Sequence, residues 1–216
     1  TVISLEVVHP SRDHLLPVDL EAYRTAVHPR GRVIVIAPTR AACETIDLAL
    51  GLTTVETVLE REHGADLRRL ASSGKGFGIV AGTGTGKTLG IRPIAESILR
   101  EPLKVGVVNR EREATPETPT WNVIVVTTGI ARRWFQDGDI QARDTLVIDE
   151  IHQTSAELEL CLALGKRVGC RFIWLSATVD PRFYAEYLRS SAVIQSTAFD
   201  PRKAADVRVV SAPAPA

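Results

Sequence analysis

Residues 81–88 read Ala-Gly-Thr-Gly-Thr-Gly-Lys-Thr. They follow the apolar run Phe77-Gly78-Ile79-Val80 and precede a helical pattern at Leu89, Ile91, Ile94, Ile98 and Leu99. No other stretch restricts the fold as much, because it predicts a buried strand, a tight turn and a helix in immediate succession. Small residues let successive backbone N–H groups curl into a concave nest that suits anionic oxygens. The helix N-terminus behind the turn adds its dipole in the same sense. The segment fits the pattern of a phosphate-binding loop, with Ala81 where the first glycine often stands. Gly82, Thr83, Gly84, Thr85 and Gly86 would line the nest. Lys87 supplies a cation for the terminal phosphates, and the Thr88 hydroxyl is a ligand for Mg²⁺.

The rest of the chain repeats this rhythm. Apolar, β-branched runs occur at Val33–Ala37, Gly78–Ala81, Lys104–Val108, Val123–Thr127, Thr145–Ile148, Phe172–Leu175 and Val207–Val210. Helical patterns occur at Ala41–Leu50, Asp66–Ala71, Leu89–Leu99, Ala131–Phe135, Ala156–Leu164 and Pro181–Leu188. Near-continuous apolar strands alternating with helices predict an α/β fold, a mostly parallel sheet covered by helices on both faces. Residues 1–30 offer only the strand-like Val2–Val8, followed by His and Pro punctuation, and read as an N-terminal extension. Residues 31–210 read as the nucleotide-binding domain, and the Pro-Ala tail at 211–216 as a stiff linker. Asn109–Pro119 is charged, Pro-rich and aperiodic, and reads as a loop. The chain holds no Met, and its ending resembles a linker, so it reads as a piece of something longer.

Composition narrows the setting. The 216 residues are 44% hydrophobic and 24% charged, with formal net charge zero. Those are the proportions of a globular domain. A nucleic-acid site would therefore have to be a local patch rather than a global basic excess. No apolar run approaches the roughly 20 residues that span a bilayer, so no membrane partner is expected. Cys43, Cys161 and Cys170 lack metal-ligand spacing, and three is an odd number for a disulfide framework. Buried free thiols in a reducing, cytoplasmic setting are expected.

A second feature is Leu146-Val147-Ile148-Asp149-Glu150-Ile151-His152. It is an apolar strand ending in two carboxylates, where parallel sheets gather ligand groups. Asp149 suits Mg²⁺, and Glu150 suits a general base that orients and deprotonates water. A third, Ser176-Ala177-Thr178, follows the strand at Phe172–Leu175 and places two hydroxyls where they can sense those carboxylates. Ser and Thr are frequent after strands as caps, so only its place in the series gives it weight.

Taken in order, Gly-Thr-Gly-Thr-Gly-Lys-Thr, Asp-Glu-Ile-His and Ser-Ala-Thr resemble the first RecA-like domain of superfamily 2 helicases, closest to the DExH or DEAH-box branch. The likeness covers roughly residues 75–210. It implies ATP and Mg²⁺ as cofactors, single-stranded RNA or DNA as partner, and a second RecA-like domain in cis or in trans. By matching position it implies that Lys87 and Thr88 hold phosphate and metal, that Asp149 holds the metal, and that Glu150 is the catalytic base. His152, Ser176 and Thr178 would couple hydrolysis to strand movement. Val125-Val126-Thr127-Thr128-Gly129 looks like the family's Thr-x-Gly segment, so Thr127 and Gly129 would touch the phosphodiester backbone. Arg132, with Arg133, either extends that contact or forms a solvated helix face.

Two departures stand out. Val33-Ile34-Val35-Ile36-Ala37-Pro38-Thr39-Arg40 looks like the family's strand and Pro-Thr-Arg turn, yet it precedes the phosphate loop instead of following it. The interval from Lys87 to Asp149 is correspondingly short. Either the strand is permuted, with Thr39 and Arg40 still gripping backbone phosphate, or Arg40 merely belongs to a surface turn. The segment carrying the arginine fingers of the second domain is also absent, so the chain alone is expected to hydrolyse ATP poorly and to unwind nothing. A nucleotide-gated scaffold that binds a protein partner is the alternative. No base-recognition motif precedes the loop; Arg30, Arg32 and Phe77 are the available guesses.

Overall fold

A computed structural model of the chain describes residues 17–53, 56–109, 118–177 and 180–196. Among the described residues seven α-helices and seven strands follow in the order α1 (Pro17–Val27), β1 (Val33–Ala37), α2 (Arg40–Leu50), α3 (Val58–Ser72), β2 (Phe77–Ala81), α4 (Ile91–Leu99), β3 (Val105–Val108), β4 (Val123–Thr127), α5 (Thr128–Gln136), β5 (Thr145–Ile148), α6 (Ala156–Val168), β6 (Arg171–Ser176), α7 (Arg182–Tyr187) and β7 (Ala192–Ser196). The strands form one sheet in the order β3-β4-β1-β5-β6-β2-β7, every pair parallel.

Alternation along each strand divides the core in two. Val33, Val35, Val125, Val147, Ile173 and Ile79 point to one face, where they meet the buried sides of α2, α3 and α4. Ile34, Ile36, Ile124, Leu146, Ile148 and Trp174 point to the other, against α5, α6 and α7. The doubly covered parallel α/β sheet expected from the sequence is therefore what forms. Two glycines make close packing possible within it. A Cβ on Gly78 would enter the Trp174 ring on neighbouring β6, and one on Gly106 would enter Trp121.

The face assignments fix the hand of the crossovers. From β4 to β5, β5 to β6 and β6 to β7 the chain moves one way along the sheet, over the face carrying α5, α6 and α7. From β2 to β3 it moves the opposite way over the opposite face, which is the same hand. The β1-α2-α3-β2 connection moves in the first direction over the second face. Its hand is opposite to the other four, and such exceptions make up about 2% of parallel crossovers.

Three departures from expectation have physical causes. Helix α1 lies within residues read as an irregular extension, because it carries little apolar stripe. Ionic contacts hold it instead: the Arg24 guanidinium donates to the Asp139 carbonyl and carboxylate. Strand β7 was not foreseen, being short, half exposed and interrupted by Gln195. Helix α3 begins eight residues before its predicted start, at Val58. The strand-like stretches Val2–Val8 and Val207–Val210 lie outside the described residues, as does most of the loop read at Asn109–Pro119.

Beneath the sheet, at the start of β1 and β5, sits a buried ionic knot. The Arg32 guanidinium donates to both Asp144 carboxylate oxygens, at 3.4 Å from Nε and 3.0 Å from Nη2, and Arg24 lies 3.8 Å from the same carboxylate. The guanidinium beside it holds the Asp144 carboxyl below the usual carboxylate range, against the upward push of burial.

Candidate nucleotide site

Because every strand is parallel, residues 37–40, 81–88, 127–129, 149–152 and 176–177 all emerge at one edge of the sheet. Ligands of such sheets settle where neighbouring strands send their helices to opposite faces. One such crevice lies between β6 and β2, since α7 and α4 leave on opposite sides. Two more flank β1, whose α2 leaves on the face opposite to α5 and α6.

The loop at 81–88 occupies the first crevice. Gly84 (φ +83°) and Gly86 (φ +100°) take left-handed backbone that L side chains rarely adopt. Thr85 turns inward, its hydroxyl donating to the Gly82 carbonyl at 2.7 Å. An α-type bond from the Gly90 N–H to the Gly86 carbonyl, 3.0 Å, starts a turn that continues into α4 at Ile91. Lys87 is buried, and its ammonium donates to the Ala81 and Gly82 carbonyls. Burial lowers its pKa, while the Glu150 and Asp149 charges pull it back up.

Sequence reasoning missed the brace under this loop. The Leu59 N–H donates to the Thr85 carbonyl at 3.0 Å, and a Cβ on Gly86 would collide with the Thr57 side chain. Thr57 is the N-cap of α3, accepting from the Glu60 N–H at 3.1 Å. The signal was available, since Thr57-Val58-Leu59-Glu60 has the Thr-x-x-Glu spacing of a capping box. At the other end, the Arg92 guanidinium on α4 donates to the Leu50 carbonyl at the end of α2.

β6 separates the loop strand from β5, whose end brings the carboxylates across. The Thr88 hydroxyl and the Asp149 Oδ2 face one another at 3.5 Å. Two hard oxygen groups at that spacing beside a phosphate nest fit Mg²⁺, which takes one or two carboxylates or hydroxyls and completes its shell with phosphate and water. Burial, then the neighbouring Glu150 charge, push the Asp149 carboxyl up to about 6, and a cation there would offset both causes. Glu150 has φ +52°, left-handed backbone in a non-glycine residue, of the strained kind that collects at functional sites.

His152 ties this turn to β6. Its Nε2 lies 2.9 Å from the Glu150 Oε2. Its Nδ1 accepts from the Ala177 N–H at 3.2 Å, with the Ser176 hydroxyl at 3.4 Å. An Nδ1 that accepts leaves the proton of the neutral ring on Nε2, directed at Glu150. Ser176 thus reaches the carboxylates through His152. Thr178 lies outside the described residues.

The residues read as strand contacts gather at the crevices beside β1. Ala37 and Thr127 are in register on adjacent strands, so the strand ends and helix starts carrying Thr39, Arg40, Thr127 and Gly129 stand side by side. Thr39 is exposed and caps α2, accepting from the Ala42 N–H at 3.1 Å, and Arg40 is exposed next to it. Arg132 is 3.6 Å from Glu157, whose other oxygen accepts from the Thr128 hydroxyl at 3.3 Å. Glu157 therefore competes with any anion approaching Arg132. Arg30, Arg32 and Phe77, the guesses for base recognition, are ruled out by place. They stand at the starts of β1 and β2, the opposite edge, where Phe77 and Arg32 are buried and Arg30 donates to the Leu99 carbonyl.

All three cysteines are buried thiols outside any disulfide, with Cys161 and Cys170 pushed up to about 12 by burial. No described helix is long and apolar enough to cross a membrane.

No protein-family model matches the sequence, and no curated protein is significantly similar to it. Three solved structures show partial likeness. A DEAD-box protein from the hyperthermophile Methanococcus jannaschii is 15% identical, over 81% of this chain and 48% of that one, with a TM-score of 0.37. The UvsW helicase from bacteriophage T4 is 14% identical, over 81% of this chain and 59% of that one, with a TM-score of 0.33. The DEAH/RHA helicase HrpB of Escherichia coli is 22% identical, over 85% of this chain and 22% of that one, with a TM-score of 0.38. The chain thus spans less than two thirds of each. The fold described above rests on the chain's own strand order and layers rather than on these scores.

Proposed function

We propose that the chain is the first RecA-like domain of an ATP-dependent nucleic-acid helicase or translocase, completed by a second domain. The observation that carries this reading is the meeting of the braced loop 81–88 with Asp149 and Glu150 across β6. Gly82, Thr83, Gly84, Thr85 and Gly86 would cradle phosphates with backbone N–H groups, and Lys87 would turn from the loop carbonyls to the terminal phosphate. Thr88 and Asp149 would hold Mg²⁺, which draws charge from the phosphates. Glu150 would orient the attacking water and accept its proton, with the His152 Nε2–H steadying that carboxylate. Positioning and charge stabilisation account for most of catalysis in such sites.

His152, with Ser176 and Thr178, would relay closure of the two domains to the strand. Thr39, Arg40, Thr127, Gly129 and Arg132 would form the strand-contacting edge. The position of β1 between β4 and β5 supports the permuted reading of its Pro-Thr-Arg turn, which reaches the shared edge although it precedes the loop in sequence. A scaffold that binds ATP and a protein partner without tracking a strand is the competing class.

The test is ATP hydrolysis by the full-length protein, with and without single-stranded RNA or DNA. Lys87→Ala and Glu150→Gln are each expected to remove hydrolysis, and strand stimulation is expected to weaken steeply with salt. Retained hydrolysis in either variant overturns the site, and a wild type indifferent to both strands favours the scaffold.

A further inference from the structure

Helix α7 carries an aromatic column that nothing in the nucleotide site uses. The Lys166 ammonium sits 3.8 Å over the Tyr187 ring, and Tyr187 stacks on Phe183 at 5.7 Å between centroids and 6° between planes. Phe183 also meets Tyr184 edge-on, and Tyr184 leans on buried Trp174. Each of these rings is covered on its working face except Phe183, which is 66% exposed. Tyr187 lies one turn later in the helix and covers one side of the Phe183 ring, which leaves the other side to solvent.

We propose that Phe183 is a stacking platform for a base of single-stranded nucleic acid. This rests on the motor reading above. An exposed ring invites either a protein partner or a planar base, and its surroundings decide between them. A protein interface buries its anchor in a core depleted of charged residues. Along α7, Phe183 is bracketed by charged Arg182 and Glu186, with Arg189 just beyond the helix. Lys166, which meets the column at Tyr187, and Arg167 close the last turn of α6. Of the carboxylates in this neighbourhood, Asp180 is already bound to Arg182, leaving Glu159 and Glu186 against Lys166, Arg167 and Arg189. A flat ring with cations around it suits a base stacked on its face and a phosphate nearby.

The column also has a route to the chemistry. The Tyr184 hydroxyl donates at 3.3 Å to the carbonyl of Ile151, the residue between Glu150 and His152. A base seated on Phe183 would press on Tyr184 and so on the turn holding the proposed general base.

The experiment measures affinity of the full-length protein for a labelled oligothymidylate and for the same oligomer with abasic positions, across a salt series. Stacking on an aromatic side chain is worth enough that Phe183→Ala is expected to weaken oligothymidylate binding by about 5-fold to about 150-fold. Phe183→Tyr and Phe183→Trp should retain affinity, while Phe183→Leu should behave like the alanine variant. The slope of log affinity against log salt should not change, because no phosphate contact is removed. Abasic positions should cost the wild type a similar factor and the alanine variant almost nothing. The proposal is overturned if Phe183→Ala binds as well as wild type. It is equally overturned if the alanine variant loses affinity for both oligomers alike, which would assign the ring to folding or to a protein contact. A wild type with no salt-dependent strand binding is a different failure, because it removes the motor reading and this proposal with it.

Discussion

His28 shows how one buried side chain acquires a pH signature. Its Nε2 meets the Pro119 carbonyl at 2.8 Å, while its Nδ1 is buried without a partner, and the ring is 2% exposed. Burial lowers its pKa; the Pro119 carbonyl opposes this, while Arg32 and Arg24 reinforce it. The unfolded chain takes up a proton near the ordinary value of about 6.5, and the folded chain resists. Stability is therefore complete above that pH and declines as pH falls through it. A glutamine places a donor near the same carbonyl without a titrating ring. His28→Gln is expected to flatten the loss of thermal stability between about pH 6.5 and pH 5, read by melting at matched ionic strength. Parallel profiles for variant and wild type would contradict this. Gly86 acts through shape instead. Adding a Cβ at φ +100° strains the backbone and drives the methyl into Thr57. Left-handed strain costs roughly 1–2 kcal/mol and overpacking roughly 1–3 kcal/mol. Gly86→Ala should thus lower stability by about 2–5 kcal/mol in denaturant titrations and, on the proposed function, abolish nucleotide binding. Gly74, equally left-handed at φ +77° but facing open space, is the control and should lose only the backbone part.

At the scale of elements, legibility followed the kind of force that holds each piece. β1, β4, β5 and β6 are wholly or almost wholly buried, so their apolar runs announced them with nearly correct ends. α1 is held by Arg24 on Asp139, a contact 115 positions away that no local pattern contains. β7 needs only its pairing with β2 and leaves no alternation to read. The candidate site was legible where chemistry demands particular residues in sequence, at Lys87-Thr88 and Asp149-Glu150. It was illegible where tertiary contacts complete it. Leu59 under Thr85 and Ala177 on His152 are backbone donors, and any residue could supply them. Glu157 beside Arg132 is likewise invisible from residues 127–133 alone, and it revises what that arginine is free to do.

Over the whole molecule, the two helical layers and the parallel sheet followed from the strand–helix rhythm, but the strand order did not. Nothing local says that β1 inserts between β4 and β5, or that its crossover to β2 runs against the hand of the others. That arrangement bears on how the protein is made. On the ribosome β1 emerges early and its two neighbours late: Arg32 waits 112 positions for Asp144. In the interval a strand of five apolar residues has both edges bare, the condition under which nascent chains pair with the wrong partner. Nascent chains arrested after β3 are expected to aggregate or recruit chaperones, whereas chains arrested after β6 should resist protease. Soluble, protease-resistant chains at the earlier arrest would mean that β1 finds temporary cover elsewhere. The place of β1 between β4 and β5 thus commits the protein to hold an interior strand in reserve until both neighbours have been translated.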